Sequence, residues 1–107
     1  MATETIAEIS VVVFRRGKWW IAQCLQHDIG AQARSPNDAV YELQRSVVGH
    51  LIICDRHGKQ PFAELPAAPQ AYWKKFEGAT MMITSIEAPL SVPVPVRPPR
   101  QDIRLAA

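Results

Sequence analysis

His27 and Asp28 are neighbours, and an imidazole beside a carboxylate is half of a general-base arrangement. A small hydrolase using His27 and Asp28 is therefore one reading of this sequence. It lacks a nucleophile, because no Ser or Cys with a companion base is legible at a strand end, and one imidazole does not hold a metal. His50 and His57 are two helical turns apart and could share a face, but His57 falls in a last turn, where a cationic ring suits the helix dipole. Cys24 and Cys54 lie in apolar segments and read as buried thiols rather than as a disulfide or a zinc site. The acids are scattered singly, which removes paired-carboxylate and two-metal chemistry, and no P-loop or dinucleotide fingerprint occurs. The expectation is a chain without catalytic residues, metal or cofactor.

Two other patterns suit binding. Trp19 with Phe14 and Arg15 resembles a stacking platform for single-stranded nucleic acid, although aromatic pairs across a hairpin are common core elements. Pro95-Val96-Arg97-Pro98-Pro99-Arg100 satisfies the proline-rich pattern that SH3 domains accept, a short motif that also arises by chance. Charge weighs against nucleic acid as the main partner. Residues 1–88 hold nine Lys or Arg and nine Asp or Glu, so the net +2 belongs to 89–107, where Arg97, Arg100 and Arg104 stand against Asp102. A phosphate-binding fold needs a concentrated basic face.

The elements that must position these residues follow from patterning. A chain of 107 residues has room for one core, and at 48% apolar and 21% charged residues it is composed as a globular domain rather than a disordered segment. The apolar runs 11–14 and 19–22 fall far below the roughly 20 residues that span a bilayer, and the N-terminus carries acids where a secretory signal carries bases. A cytoplasmic protein without membrane contact is expected.

Residues 8–25 predict a β-hairpin about Arg16-Gly17, rich in β-branched and aromatic residues, and 29–34 alternates as a third strand. A long helix follows. Ser35 suits its N-cap, Pro36 its first position and Asp38 a capping carboxylate, while Val40, Leu43, Val47 and Leu51 line one face and Gly58 ends it. Residues 59–68 read as a proline-containing crossing anchored by Phe62 and Leu65. Pro69 opens a short helix to Glu77 that carries Tyr72, Trp73 and Phe76 on one side, and Gly78 stops it. Thr80 to Glu87 reads as a fourth strand, and 89–107 as a proline-rich extended tail. The fold class is therefore α/β (α+β): a three-stranded antiparallel meander plus a fourth strand, one long helix packed on the sheet and a short second helix. The core domain is 1–88.

A two-residue Arg16-Gly17 turn sets Phe14 opposite Trp19, Val13 opposite Trp20, Val11 opposite Ala22 and Ile9 opposite Cys24. One face then carries Ile9, Val11, Val13, Trp20, Ala22 and Cys24, the expected seat for the long helix, although a one-residue change in the turn would exchange the faces. The other carries Val12, Phe14, Trp19 and Ile21, too large an apolar patch to leave in water. The helix with Tyr72, Trp73 and Phe76, a second copy of the chain or another protein would cover it. These four residues are the candidate partner-binding site.

The element order resembles the N-terminal domain of HicB-type antitoxins over about residues 8–54. Gly17-Lys18-Trp19-Trp20-Ile21-Ala22 looks like the start of that family's second strand and Ile29-Gly30-Ala31-Gln32-Ala33 like its third. Arg34-Ser35-Pro36-Asn37-Asp38-Ala39-Val40-Tyr41-Glu42-Leu43 looks like its helix start. The resemblance implies a partial ribonuclease-H-like sheet without catalytic acids, and a function in binding and neutralising a small HicA-type toxin that cleaves messenger RNA. Two features depart from the family. Leu25-Gln26-His27-Asp28 replaces a proline-containing loop, and 89–107 supplies no DNA-binding helix-turn-helix or ribbon-helix-helix. The expectation is a stand-alone, non-catalytic, HicB-like protein-binding domain, an antitoxin-like homodimer or toxin binder. The alternatives are a nucleic-acid-binding module using the Arg-containing tail and hairpin aromatics, and the hydrolase.

Overall fold

The computed structural model describes residues 8–79, 81–82 and 100–106. It is a mixed α/β architecture, with a five-stranded sheet and two helices, one on each face. The elements are β1 (Glu8–Arg16), β2 (Trp19–Cys24), β3 (Gly30–Ala33), α1 (Pro36–Arg56), α2 (Gln70–Glu77), β4 (Met81–Met82) and β5 (Arg100–Leu105). The strand order is β3-β2-β1-β5-β4.

The hairpin and meander form as expected, but the turn is Gly17-Lys18 and not Arg16-Gly17: Arg16 faces Trp19. Gly17 has φ 62°, and glycine at the first of two turn positions is the placement a type II′ hairpin uses. The pairing therefore slides by two residues. Phe14 lies opposite Ile21, Val13 opposite Ala22 and Val11 opposite Cys24. Side chains alternate with period two, so an even slide leaves every residue on its expected face.

Ser35 is extended (ψ 158°) and its Oγ accepts from the Asp38 N–H at 3.1 Å, which starts α1 where the capping pattern predicts. Ala39, Val40, Leu43, Val47 and Leu51 pack against Ile9, Val11, Val13, Ala22 and Cys24. Each buried leucine there contributes about 1.5–3 kcal/mol. Gly58 takes φ 63° after the last turn, and no described helix is long and apolar enough to cross a membrane.

The C-terminal stretch departs from the expected free tail. Arg100–Leu105 is a strand inside the sheet, parallel to β1 with Val11 beside Ile103, and antiparallel to β4 with Met81 beside Leu105. The prolines end at Pro99, after which Ile103 and Leu105 alternate with Asp102 and Arg104, the pattern of a half-buried strand. Ile103 joins the α1 core, and Gln44 of α1 donates to Gln101 Oε1 at 3.0 Å. Of the expected fourth strand, Met81–Met82 is present as β4; Thr80, residues 83–87 and the prolines of 89–99 lie outside the described residues.

Candidate partner-binding site

The face carrying Val12, Phe14, Trp19 and Ile21 is covered in part by the chain's own α2. Tyr72, Trp73 and Phe76 recur at i, i+1 and i+4, one side of a short helix, and they pack on Val12, Phe14 and Leu25. Trp73 Nε1 donates to Ala68 O at 3.1 Å, and the Ala68 N–H donates to Leu25 O at 2.8 Å, so the approach to α2 is pinned to the end of β2. Val12 is fully buried and Phe14 is 4% exposed, with its ring 5.9 Å from Tyr72. That pair is occupied inside the chain and is not an open docking surface, a correction to the expected site. Trp19 and Ile21 remain half-buried. They lie one strand in from β3, which among the described residues is an outer strand with no neighbour beyond it.

The cations around this face were not legible from charge counts. Trp19 faces Arg16 across the hairpin, and Arg34 continues β3 beyond Ala33, the partner of Trp20. Arg34, Trp19 and Arg16 thus form one row across three strands. The Arg34 guanidinium lies 4.8 Å and the Lys18 ammonium 5.6 Å from the Trp19 ring centroid. Around Phe14, Lys75 lies at 5.0 Å and Arg16 at 5.5 Å. Arg15, expected beside Trp19, points to the other face and donates through Nε to Gly17 O at 2.8 Å. Arg104 of β5 sits 4.2 Å from the Phe76 ring and pairs with Asp102 at 3.3 Å.

His27 and Asp28 do not form a working pair. Asp28 Oδ1 accepts from Gln23 Nε2 at 2.8 Å, while the His27 ring stacks on Phe62 at 4.2 Å and 10°. His27 Nδ1 is buried without a hydrogen-bond partner among the described residues. Burial, reinforced by the nearby His50, lowers the His27 pKa and favours the neutral ring.

His50 faces the same loop. Its Nε2 accepts the Phe62 N–H at 2.9 Å and lies 3.5 Å from Cys54 Sγ. A Cys beside a His invites a nucleophile reading, but Nε2 is already engaged by the Phe62 N–H. The adjoining cavity, lined by His50, Cys54, Lys59, Gln60, Ala63 and Glu64, holds about 160 Å³. Ligand pockets usually run from about 300 Å³ upward. The arrangement serves to anchor the loop after α1. Sequence spacing pointed to Phe62 as an anchor but not to His50 as its partner, since the two meet only through the loop's fold. His57, on whose helix face His50 was expected, is exposed at the C-cap.

Cys24 and Cys54 are buried and unpaired, as core thiols would be, and burial raises the Cys24 pKa. Among the described residues no three His, Cys, Asp or Glu side chains cluster closely enough to hold a metal ion. Comparison of the chain with protein-family models, with curated proteins and with solved structures finds no match.

Proposed function

We propose that this chain is a non-catalytic, HicB-like protein-binding domain that acts in the cytoplasm, either capturing a small toxin-like protein or pairing with a second copy of itself. The observation that carries the reading is the juxtaposition of half-buried Trp19 and Ile21 with the outer edge of β3, which has no neighbouring strand among the described residues. An aromatic side chain beside a free strand edge offers a partner both backbone hydrogen bonds and an apolar anchor. The order of three strands, helix and a later strand returning beside β1 supports the partial ribonuclease-H-like assignment that the resemblance implies.

The test is affinity capture of the tagged full-length protein from its native lysate, with the native mass of the eluate set against that of the purified chain. A stoichiometric small basic partner that Trp19→Glu no longer retains supports toxin capture. A purified dimer that Trp19→Glu converts to monomer supports self-association. A monomer that retains no partner sinks both forms of the reading.

A further inference from the structure

We propose that the row Arg34, Trp19 and Arg16, with Lys18 and Lys75 beside it, is a binding platform for single-stranded nucleic acid. The inference shares Trp19 with the protein-binding reading but adds the cations at the end of the hairpin and makes no use of the β3 backbone edge. Residues 1–88 are neutral in total, yet their cations are not spread evenly in space. Four of the nine flank the Trp19 and Phe14 rings at 4.8–5.6 Å.

Among the described residues none of these four meets an acid in an ion pair; the pairs present are Arg45 with Glu42, Lys59 with Glu64 and Arg104 with Asp102. Asp38, in the first turn of α1, is the acid nearest Arg34 along the chain, and Glu77, at the end of α2, the one nearest Lys75; both are exposed. Four like charges at one end of a small domain demand an anionic partner more than a protein core does.

Strand geometry sets the spacing. Neighbouring strands lie about 4.8 Å apart, so Arg34 and Arg16 flank Trp19 at about that distance on each side. A single strand offers both features this row can recognise: phosphates for the cations, and a base face for an indole that is half-buried rather than sealed in the core. A base reaching Trp19 takes the place of Lys18 or Arg34 over the ring, and the displaced side chain turns to the adjoining phosphate. Duplex DNA suits the row less well, because its bases are stacked away from an exposed indole.

The experiment measures fluorescence anisotropy of a labelled 12-nucleotide oligo(U) strand titrated with the full-length chain at several salt concentrations. Engagement of about four phosphates gives a log-log salt slope near −2.8, since each contributes about −0.7 on a single strand. Trp19→Ala is expected to weaken binding about tenfold or more, within the usual cost of losing one stacked base. Arg16→Glu with Arg34→Glu abolishes binding while circular dichroism stays unchanged, because both side chains are exposed. Polyglutamate is the competitor. Absence of binding at 50 mM salt overturns the proposal, as does binding that Trp19→Ala leaves intact or that polyglutamate displaces as well as unlabelled oligo(U) does.

Discussion

Phe62 donates its backbone N–H to His50 Nε2 at 2.9 Å while its ring stacks between His50 and His27, the centroids 5.0 and 4.2 Å away. Phe62 is also the one residue other than glycine with positive φ (66°) among the described residues. Such a conformation is unusual for a bulky side chain and persists only where its surroundings hold it. His50→Leu keeps the volume but removes the acceptor, leaving a part-buried N–H unpaired. Urea denaturation should show a loss of about 1–3 kcal/mol, the usual cost of a stranded donor. A variant as stable as the parent would show that the loop is held by stacking alone.

The same stack predicts acid sensitivity. Burial and His50 lower the His27 pKa below the ordinary histidine value of about 6.5, so the unfolded chain takes up a proton at a pH where the folded chain does not. Stability is then full above about pH 6.5 and falls as the pH drops from there toward the lowered folded value. His27→Phe keeps a ring on Phe62 and removes the proton. Its melting temperature should vary less between pH 7 and 5 than that of the parent, and an unchanged pH profile would assign the acid sensitivity to another group.

Much of the core face was legible because it depends on periodicity alone. Val40, Leu43, Val47 and Leu51 recur at helical spacing, and Val11 and Val13 alternate with Val12 and Phe14, so each lands on its observed side as long as the turn slides by an even number of residues. The exact partners were not legible, because glycine at either turn position makes a hairpin and only the fold shows that Gly17 comes first. The end of the chain was misread for a different reason. The prolines dominate the composition of 89–107, whereas strand formation depends on the last residues, where Ile103 and Leu105 find a vacant place beside β1. The basic row needed cross-strand register, which no count of charges contains.

Gly30 is required by what stands over it. A Cβ there would lie 2.7 Å from Gln23 Oε1, and the buried Gln23 amide is held by donating to Cys24 O at 3.0 Å and Asp28 Oδ1 at 2.8 Å. Gly30→Ala should displace Gln23 and cost about 1 kcal/mol for the lost hydrogen bonding. Gln23→Ala alone removes the same bonds, so the double variant should cost clearly less than the two single costs added, a coupling that a double-mutant cycle reads. Additive costs would mean that Gly30 and Gln23 act independently.

α2 is the element most ready to open. It has no fully buried residue and no side-chain cap, whereas α1 has a buried stripe and the Ser35 cap. Local opening free energy follows buried contact, so amides of 73–77 should exchange with deuterium faster than those of 43–51. Opening would also uncover Val12 and Phe14, so Tyr72→Ala with Phe76→Ala should raise binding of an apolar dye. Equal protection of the two helices would show that α2 opens only with the whole domain.

The position of β5 changes what a truncation means. Removing 100–107 takes away the strand between β1 and β4, strips β1 of six paired residues and leaves Gln44 without Gln101. The truncated chain should lose cooperative unfolding, and any binding it loses reports collapse of the sheet rather than absence of Arg100 and Arg104 as contacts. Ile103→Ala separates the two effects, because it keeps both arginines while emptying a site that is 7% exposed in the α1 core. Its expected cost is about 2–5 kcal/mol by urea denaturation, as for other buried large-to-small changes. A cost near zero would mean that β5 contributes little to the sheet, and the end of the chain would then be the detachable tail that its prolines first suggest.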